Sequence, residues 1–448
     1  MNIIIVGAGE IGRYLATWLS KEAHRISVIE SDPKLVDELE ESIDAKVLCS
    51  DGATVGALAE ANVGECDLFL ALTSSNTVNL TSASIAKAMG VGKVVCRVHP
   101  SLEREAWLFD YRKHFGIDHL FSSEKLSAIE LAKFVRNPDS LAVEELARGK
   151  IELQQVRVGE DSEAAGQPLR DLKTPEHVRV AMISRGGEHF VPSAESELQP
   201  GDVATIFGDL RKLRGFAERL QGGKGKSAAP RVVIFSGGEY GFALAQMLDS
   251  WNFRVRIFER DENLCRELAD QLENTTIINA DATVLADLEE EQVGSADFFI
   301  ATSPNDEDNV MTCLQANSLG AKTCLTLIHR ADYADAISQA GKHFGVRSAV
   351  SPREATRREI ERFITSDRFH VVKRFEAGEL LEMPVGKDSR VDGKIVREIK
   401  WPGGCVLVGH QRGVHAGVPG PDEKLEADDI VYAMVSPKAR RRFVKLLN

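Results

Sequence analysis

Asn2-Ile3-Ile4-Ile5-Val6-Gly7-Ala8-Gly9-Glu10-Ile11-Gly12 decides the fold, because Arg231-Val232-Val233-Ile234-Phe235-Ser236-Gly237-Gly238-Glu239-Tyr240-Gly241 restates it further along the chain. The first copy is a β-branched apolar run, then G-x-G-x-x-G, then apolar residues at helical spacing (Ile11, Leu15, Leu19). A glycine fingerprint that follows a strand and opens a helix predicts a dinucleotide-type βαβ unit. Gly7 permits the tight turn, Gly9 lets backbone approach a diphosphate, and Gly12 lets helix and strand pack closely. The helix N-terminus then meets negative charge with free N–H groups.

The register of the two copies holds for over a hundred residues with single-residue slips. Glu30 maps to Glu259, Ala53-Thr54 to Ala282-Thr283, Val63-Gly64 to Val293-Gly294, Asn79 to Asn309 and Gly90 to Gly320. Lys113-His114-Phe115-Gly116 recurs as Lys342-His343-Phe344-Gly345. Both copies alternate short strands with helix-period segments, in the first Ile3–Val6, Ile26–Glu30, Lys46–Cys49, Leu68–Thr73 and Val94–Val98. That alternation predicts an α/β Rossmann-like parallel sheet with helices on both faces. Each copy closes on a helix, Lys125–Arg136 and Arg353–Thr365.

A small α+β domain is expected after each copy. In the first, Val178–Ser184 reads as a strand, Arg185-Gly186-Gly187-Glu188 as a hairpin turn, and Leu198–Phe207 as a strand entered through Pro200-Gly201-Asp202. Cys405–Gly409, Gln411-Arg412-Gly413 and Leu425–Val435 answer in the second. The expected division is Rossmann domain 1–136, small domain 140–221, linker 222–230, Rossmann domain 231–365 and small domain 366–448.

Composition narrows the function. With 448 residues, no apolar run of membrane-spanning length and a start that already reads as a strand, the expectation is a cytoplasmic protein. Seven cysteines, Cys49, Cys66, Cys96, Cys265, Cys313, Cys324 and Cys405, form no Cys-x-x-Cys pair, so neither disulfide framework nor metal site is expected. A net charge of −13 disfavours nucleic acid. The one concentrated basic run, Lys438-Ala439-Arg440-Arg441-Arg442, is read as the last turn of a terminal helix, offsetting its dipole.

The candidate site is Gly7, Ala8, Gly9, Glu10, Ile11 and Gly12 with Glu30, Thr73, Ser74 and Arg97. Glu30, ending the second strand, would accept hydrogen bonds from ribose hydroxyls and disfavours a 2′-phosphate, pointing to NAD or an adenosine nucleotide over NADP. Thr73-Ser74 and Arg97 follow the fourth and fifth strands, where they would bond ribose or phosphate; a helix cap and a surface charge are the alternatives. Asp51-Gly52-Ala53-Thr54 would lie near the adenine edge or form only a turn. In the second copy Ser236 replaces the first glycine and Thr326 is matched to Arg97, while Gly237, Gly238, Glu239, Tyr240, Gly241 and Glu259 remain. Binding and an empty structural shell stay open there.

Catalytic patterns are missing. Gly225-Lys226-Ser227 lacks the earlier glycine of a phosphate loop, no Tyr-x-x-x-Lys, His-Glu-x-x-His or Gly-x-Ser-x-Gly occurs, and the eleven histidines are dispersed. His114 and His343 sit in an apolar setting that suits an ordinary core or surface histidine. No catalytic residue is assigned.

The doubled order of domains, with GAGEIG, Glu30, Ala71-Leu72-Thr73-Ser74-Ser75-Asn76, Cys96-Arg97-Val98 and Leu198-Gln199-Pro200-Gly201-Asp202, resembles the TrkA-type subunits of bacterial Trk potassium-uptake systems. The small domains resemble the C-terminal domains of RCK, or KTN, regulators. The resemblance implies a peripheral cytoplasmic regulator that assembles as a ring, commonly a tetramer, beneath a membrane potassium-translocating subunit of TrkH/TrkG type. It implies NAD(H) or ATP/ADP as gating ligand, held at Gly7–Ile11, Glu30, Thr73-Ser74 and Arg97, and at Ser236–Tyr240 and Glu259. Many relatives carry Asp-Glu after the Thr-Ser run; here Asn76-Thr77 stands there, while Asp306-Glu307 follows Ser303. The competing readings are an NAD-dependent oxidoreductase and a small-ligand sensor acting through the α+β domains.

Overall fold

The computed structural model describes residues 1–22, 24–105, 108–137, 140, 142–147, 150–223, 229–249, 251–341, 345–364, 369–375, 378–412 and 415–448. Gly225-Lys226-Ser227, Lys342-His343-Phe344, Thr365 and Gly413 of the readings above lie outside these residues.

Strands β1 (Asn2–Val6), β2 (Arg25–Glu30), β3 (Lys46–Cys49), β4 (Leu68–Ala71), β5 (Lys93–Arg97) and β6 (His119–Phe121) form a parallel sheet of order β3-β2-β1-β4-β5-β6. Ile3, Ile4, Ile5 and Val6 are all buried, as are Leu68 to Ala71, because helices cover both faces. The strand order reverses between β1 and β4, which opens a crevice at their carboxyl ends. The sixth strand, three residues long, was too short to show a period in the sequence.

The five-stranded antiparallel sheet that follows has order β10-β9-β11-β8-β7, from β7 (Ala142–Leu146), β8 (Ile151–Arg157), β9 (Val178–Arg185), β10 (Glu188–Phe190) and β11 (Val203–Gly208). The second half repeats both. Strands β12 (Arg231–Phe235), β13 (Arg254–Glu259), β14 (Thr275–Asn279), β15 (Phe298–Ala301), β16 (Thr323–Leu327) and β17 (Val346–Val350) run β14-β13-β12-β15-β16-β17. Strands β18 (His370–Phe375), β19 (Gly378–Pro384), β20 (Cys405–Arg412), β21 (His415–Gly417) and β22 (Ile430–Val435) run β18-β19-β22-β20-β21.

Like packs with like. Met1–Ala132 and Ser227–Ile364 form one compact unit, Lys133–Lys226 and Thr365–Asn448 the other. In the first unit the Glu10–Lys21 helix meets the Pro352–Ile364 helix, where Tyr14 donates to Glu354 at 3.0 Å and the Arg357 guanidinium lies 5.2 Å from the Trp18 ring. In the second unit one apolar cluster draws Ile151, Leu153 and Phe207 from one small sheet and Leu380, Val408 and Met434 from the other.

Three expectations are corrected. The strand read over Leu198–Phe207 begins at Val203, and that over Leu425–Val435 at Ile430. The cause is a turn clamp: Asp202 accepts the Gln199 N–H at 2.8 Å and is itself held by Arg185, just as Asp429 accepts the Glu426 N–H and is held by Arg412. The basic run 438–442 occupies the start of the Pro437–Leu447 helix, whose last turn carries only Lys445, so the dipole explanation fails. Arg440 instead pairs with Glu379 at 3.0 Å and lies over the Phe369 ring.

Candidate functional site

The Glu10–Lys21 helix buries Ile11, Gly12, Leu15, Ala16 and Leu19, the i, i+4 face that packs it on the sheet and aims its N-terminus at the crevice. Gly7 adopts φ +101°, and a Cβ there would stand 2.9 Å from Thr73. A Cβ on Gly12 would stand 1.9 Å from the Gly7 carbonyl oxygen, while Gly9 faces open space. The N-cap of this helix is Gly9, so no side chain caps it, whereas Asp32, Thr54 and Ser75 cap the next helices of this repeat. The orphan N–H groups of that first turn therefore point to the crevice.

A cavity of about 670 Å³ opens there, lined by Gly7, Gly9, Glu10, Ile11, Glu30, Ser31, Asp51, Gly52, Thr73, Ser74 and Arg97 among others. The structure thus gathers most of the residues singled out in the first copy; Ala8 and Gly12 lie beneath the loop, Ala8 in the core. Glu30 ties the loop to the sheet, accepting from Ala8 N at 2.5 Å and from Ser31 N and Asp32 N at 2.7 and 2.9 Å. The Ser31 hydroxyl also donates to Glu30, at 3.2 Å, so Oε1 is fully taken and only Oε2, which accepts from Ala8 N alone, keeps a position for a ribose hydroxyl.

Arg97 is already engaged. Its guanidinium donates to Glu124 at 2.8 Å, and Glu124 is buried and also accepts from Ser122 and Ser123. Burial works to raise the Glu124 carboxyl; Arg97, its own amide and Ser122 outweigh this and hold it below the ordinary range.

Asn79, noted in the sequence only as a repeat match, organises the mouth. Buried, it accepts from Thr73 N (2.9 Å) and Thr73 Oγ1 (2.7 Å), and donates to the carbonyls of Thr73 (2.9 Å) and Arg97 (3.0 Å). It joins the carboxyl ends of β4 and β5 and so sets where Thr73 and Arg97 stand. Its recurrence as Asn309, in both copies eight residues after the end of the fourth strand of the sheet (79 − 71 and 309 − 301), was the available signal.

The second copy differs in ways the sequence alignment misplaced. Asn309 bonds Ser303 N, Ser303 O and Leu327 O, so Leu327, not Thr326, stands where Arg97 does, and it is fully buried. The one-residue slip falls before β14: Glu259 pairs with Asn279 as Glu30 pairs with Cys49, and from there Ala282 answers Gly52. Ser236 keeps the turn at φ +76°, and a Cβ on Gly241 would again meet its carbonyl, at 2.0 Å. The turn is retained, and an apolar leucine stands where the first copy has the Arg97 cation. The Ser236 hydroxyl also accepts from Gly238 N at 3.3 Å, and Glu259 accepts from Gly237 N at 2.9 Å. Asp306, buried, bonds His329 N and Arg330 N, as Asn76 bonds His99 N, so both are structural.

Residues of the second copy face the first. Tyr240 and His329 line the first copy's cavity, with their rings edge to face at 5.6 Å. Burial pushes the Tyr240 phenol up. Glu239 bonds His99, and Arg353 approaches Glu10 at 3.5 Å.

A model described as the TrkA-N domain matches residues 3–123 and 232–352, and one described as the TrkA-C domain matches 153–221 and 380–448. A Trk system potassium uptake protein TrkA homolog of Archaeoglobus fulgidus is 29% identical over 97% of this chain and 97% of its own. The Trk system potassium uptake protein TrkA of Halomonas elongata is 29% identical over 100% and 98%. Among solved structures, the GsuK channel superposes with a TM-score of 0.60 at 17% identity, covering 99% of this chain and 78% of that one. The GsuK RCK domain gives 0.60 at 16%, covering 100% and 94%.

Proposed function

Since the chain belongs to the family built of tandem TrkA-N and TrkA-C domains, we propose that it is a non-catalytic regulatory subunit of a membrane potassium-uptake system, gated by an adenine nucleotide in its first repeat. NAD(H) and ATP/ADP are the ligand classes, and the membrane partner is a potassium-translocating subunit of TrkH/TrkG type beneath which the chain assembles as a ring. The observation that carries this reading is the cavity of the first repeat, which sets an uncapped helix N-terminus, Glu30, Thr73, Ser74 and Arg97 around one space. Backbone N–H groups, hydroxyls and a guanidinium are groups that hold a polyanion. A solved GsuK channel of the same fold is described as bound to NAD and another as bound to ADP, and the relatives' names place them in potassium uptake. Among the described residues no helix is long and apolar enough to cross a membrane, which suits a subunit that docks on one.

A ligand regulates only through different affinities for two shapes of its host. The shape at issue is the packing of the two Rossmann repeats, since Tyr240, His329 and Arg353 of one wall the cavity of the other. Calorimetry of the purified chain with NAD, NADH, ADP and ATP, with a dehydrogenase panel on the same sample, tests the proposal. Micromolar or tighter binding without turnover is expected. Steady reduction of NAD by a metabolite, or no binding of any of the four, would overturn it.

A further inference from the structure

Arg353 belongs to the second repeat, one residue inside the Pro352–Ile364 helix, yet it lines the first repeat's cavity beside Gly9, Glu10 and Arg97. Its side chain is 17% exposed; it reaches Glu10 only at 3.5 Å, and its buried Nε has no hydrogen-bond partner. A buried guanidinium donor without an acceptor is costly, so this cation is set for an anion that it holds only loosely in Glu10. Glu10 in turn is 62% exposed and sits in the first turn of the uncapped helix, the place that attracts negative charge.

The two repeats explain why an arginine stands there. The corresponding position of the first repeat, one residue inside the Ser123–Arg136 helix, is Glu124, which holds Arg97. Leu327 replaces Arg97 in the second repeat, so no cation there needs an acid, and position 353 is released to carry the opposite charge toward its neighbour.

We infer that Arg353 is a phosphate ligand supplied across the repeat boundary: it takes the terminal phosphate of a nucleoside di- or triphosphate in the first repeat's cavity, in exchange for the Glu10 carboxylate. A terminal phosphate carries the second negative charge needed to displace a carboxylate. The bridging phosphates of a dinucleotide carry one charge each and are met by the loop N–H groups. The inference rests on the nucleotide reading above and names the group by which the second repeat reads the ligand's charge.

The test is calorimetry of the full chain with ADP, NAD and adenosine. Arg353→Ala should weaken ADP about ten- to a hundredfold, the range of a charged hydrogen bond, and leave NAD and adenosine within about twofold. Glu10→Gln should tighten ADP about threefold in the native background and not at all beside Arg353→Ala, the coupling expected of exchanged partners. Unchanged ADP affinity in Arg353→Ala, equal weakening of all ligands, or additive effects of the two substitutions would overturn the inference while leaving nucleotide binding intact. Failure of the native chain to bind any of the ligands would instead remove the reading beneath it.

Discussion

Replacing Asn79 by Ala should loosen the first repeat more than any other single truncation at the cavity mouth. The side chain is 1% exposed and makes four hydrogen bonds, at 2.7 to 3.0 Å, to Thr73 and Arg97. Alanine removes partners from the Thr73 N–H and from two carbonyls at once. A buried group left unpaired costs about 1–3 kcal/mol. Water can reach Thr73 from the cavity, which brings the expected total to about 2–5 kcal/mol. For a unit of this size each kcal/mol lowers the melting temperature by roughly 2–4 °C, so a fall of roughly 5–15 °C is expected by differential scanning calorimetry. Nucleotide affinity should fall as well, because Thr73 and Arg97 lose their common anchor. Asn309→Ala, which strips the three corresponding backbone bonds from Ser303 and Leu327, should cost similar stability without that loss of affinity. A melting shift under about 2 °C for Asn79→Ala would refute the hydrogen-bond reasoning, and matched affinity losses in both variants would refute the placing of the ligand in the first repeat.

Ser236→Gly should change little in ligand binding, since the turn it occupies is already formed at φ +76°. Relief of left-handed strain, about 1–2 kcal/mol, less the greater freedom of glycine in the unfolded chain, should stabilise by at most about 1 kcal/mol, read from the urea midpoint. New nucleotide binding in a chain disabled at the first site would contradict this. Acid should weaken the turn clamp of the second small domain. Burial works to raise the Asp429 carboxyl, but Arg412, the Glu426 amide and His410 outweigh it and hold it at about 2. A folded value below the unfolded one of about 3.9 gives stability that is complete above about pH 4 and lost as pH falls from about 4 to about 2. Asp429→Asn should flatten that slope in urea midpoints measured across the range; an unchanged slope would sink the assignment.

Much of this was legible in the chain. G-x-G-x-x-G behind Ile3–Val6 fixed the first βαβ unit, and its echo at Ser236–Gly241 fixed the duplication, because both patterns depend on local spacing. What stayed hidden depends on contacts distant in sequence. Tyr240 reads as part of the second loop, but packing of the repeats turns it into the first cavity. Leu327 could not be told from Thr326, since the offset is 320 − 90 = 230 before this strand and 342 − 113 = 229 after it, and only the Asn309 bond to the Leu327 carbonyl shows that the return falls later. The Pro200-Gly201-Asp202 turn is legible, but that it holds the strand back to Val203 is not, because only the folded chain brings Arg185 to Asp202, as it brings Arg412 to Asp429. Arg353 looks in sequence like any helical surface arginine.

The divergence of the repeats has a direction. Gly7, Gly52 and Arg97 of the first become Ser236, Ala282 and Leu327 in the second. On the proposed reading, the lost guanidinium removes charge while the turn survives, so the second repeat keeps its fold and gives up a group that would hold a polyanion. Its Tyr240, His329 and Arg353 meanwhile wall the other repeat's cavity. A symmetric pair of binding repeats would each need an arginine at the β5 end and an acid at the following helix to hold it, as in Arg97 and Glu124. Placing leucine and arginine at those positions gives up the pair in one repeat and presents a cation to the other. On the proposed reading the duplication therefore separates two tasks that one domain cannot perform at once, since a group that senses a ligand must be able to move relative to the group that holds it.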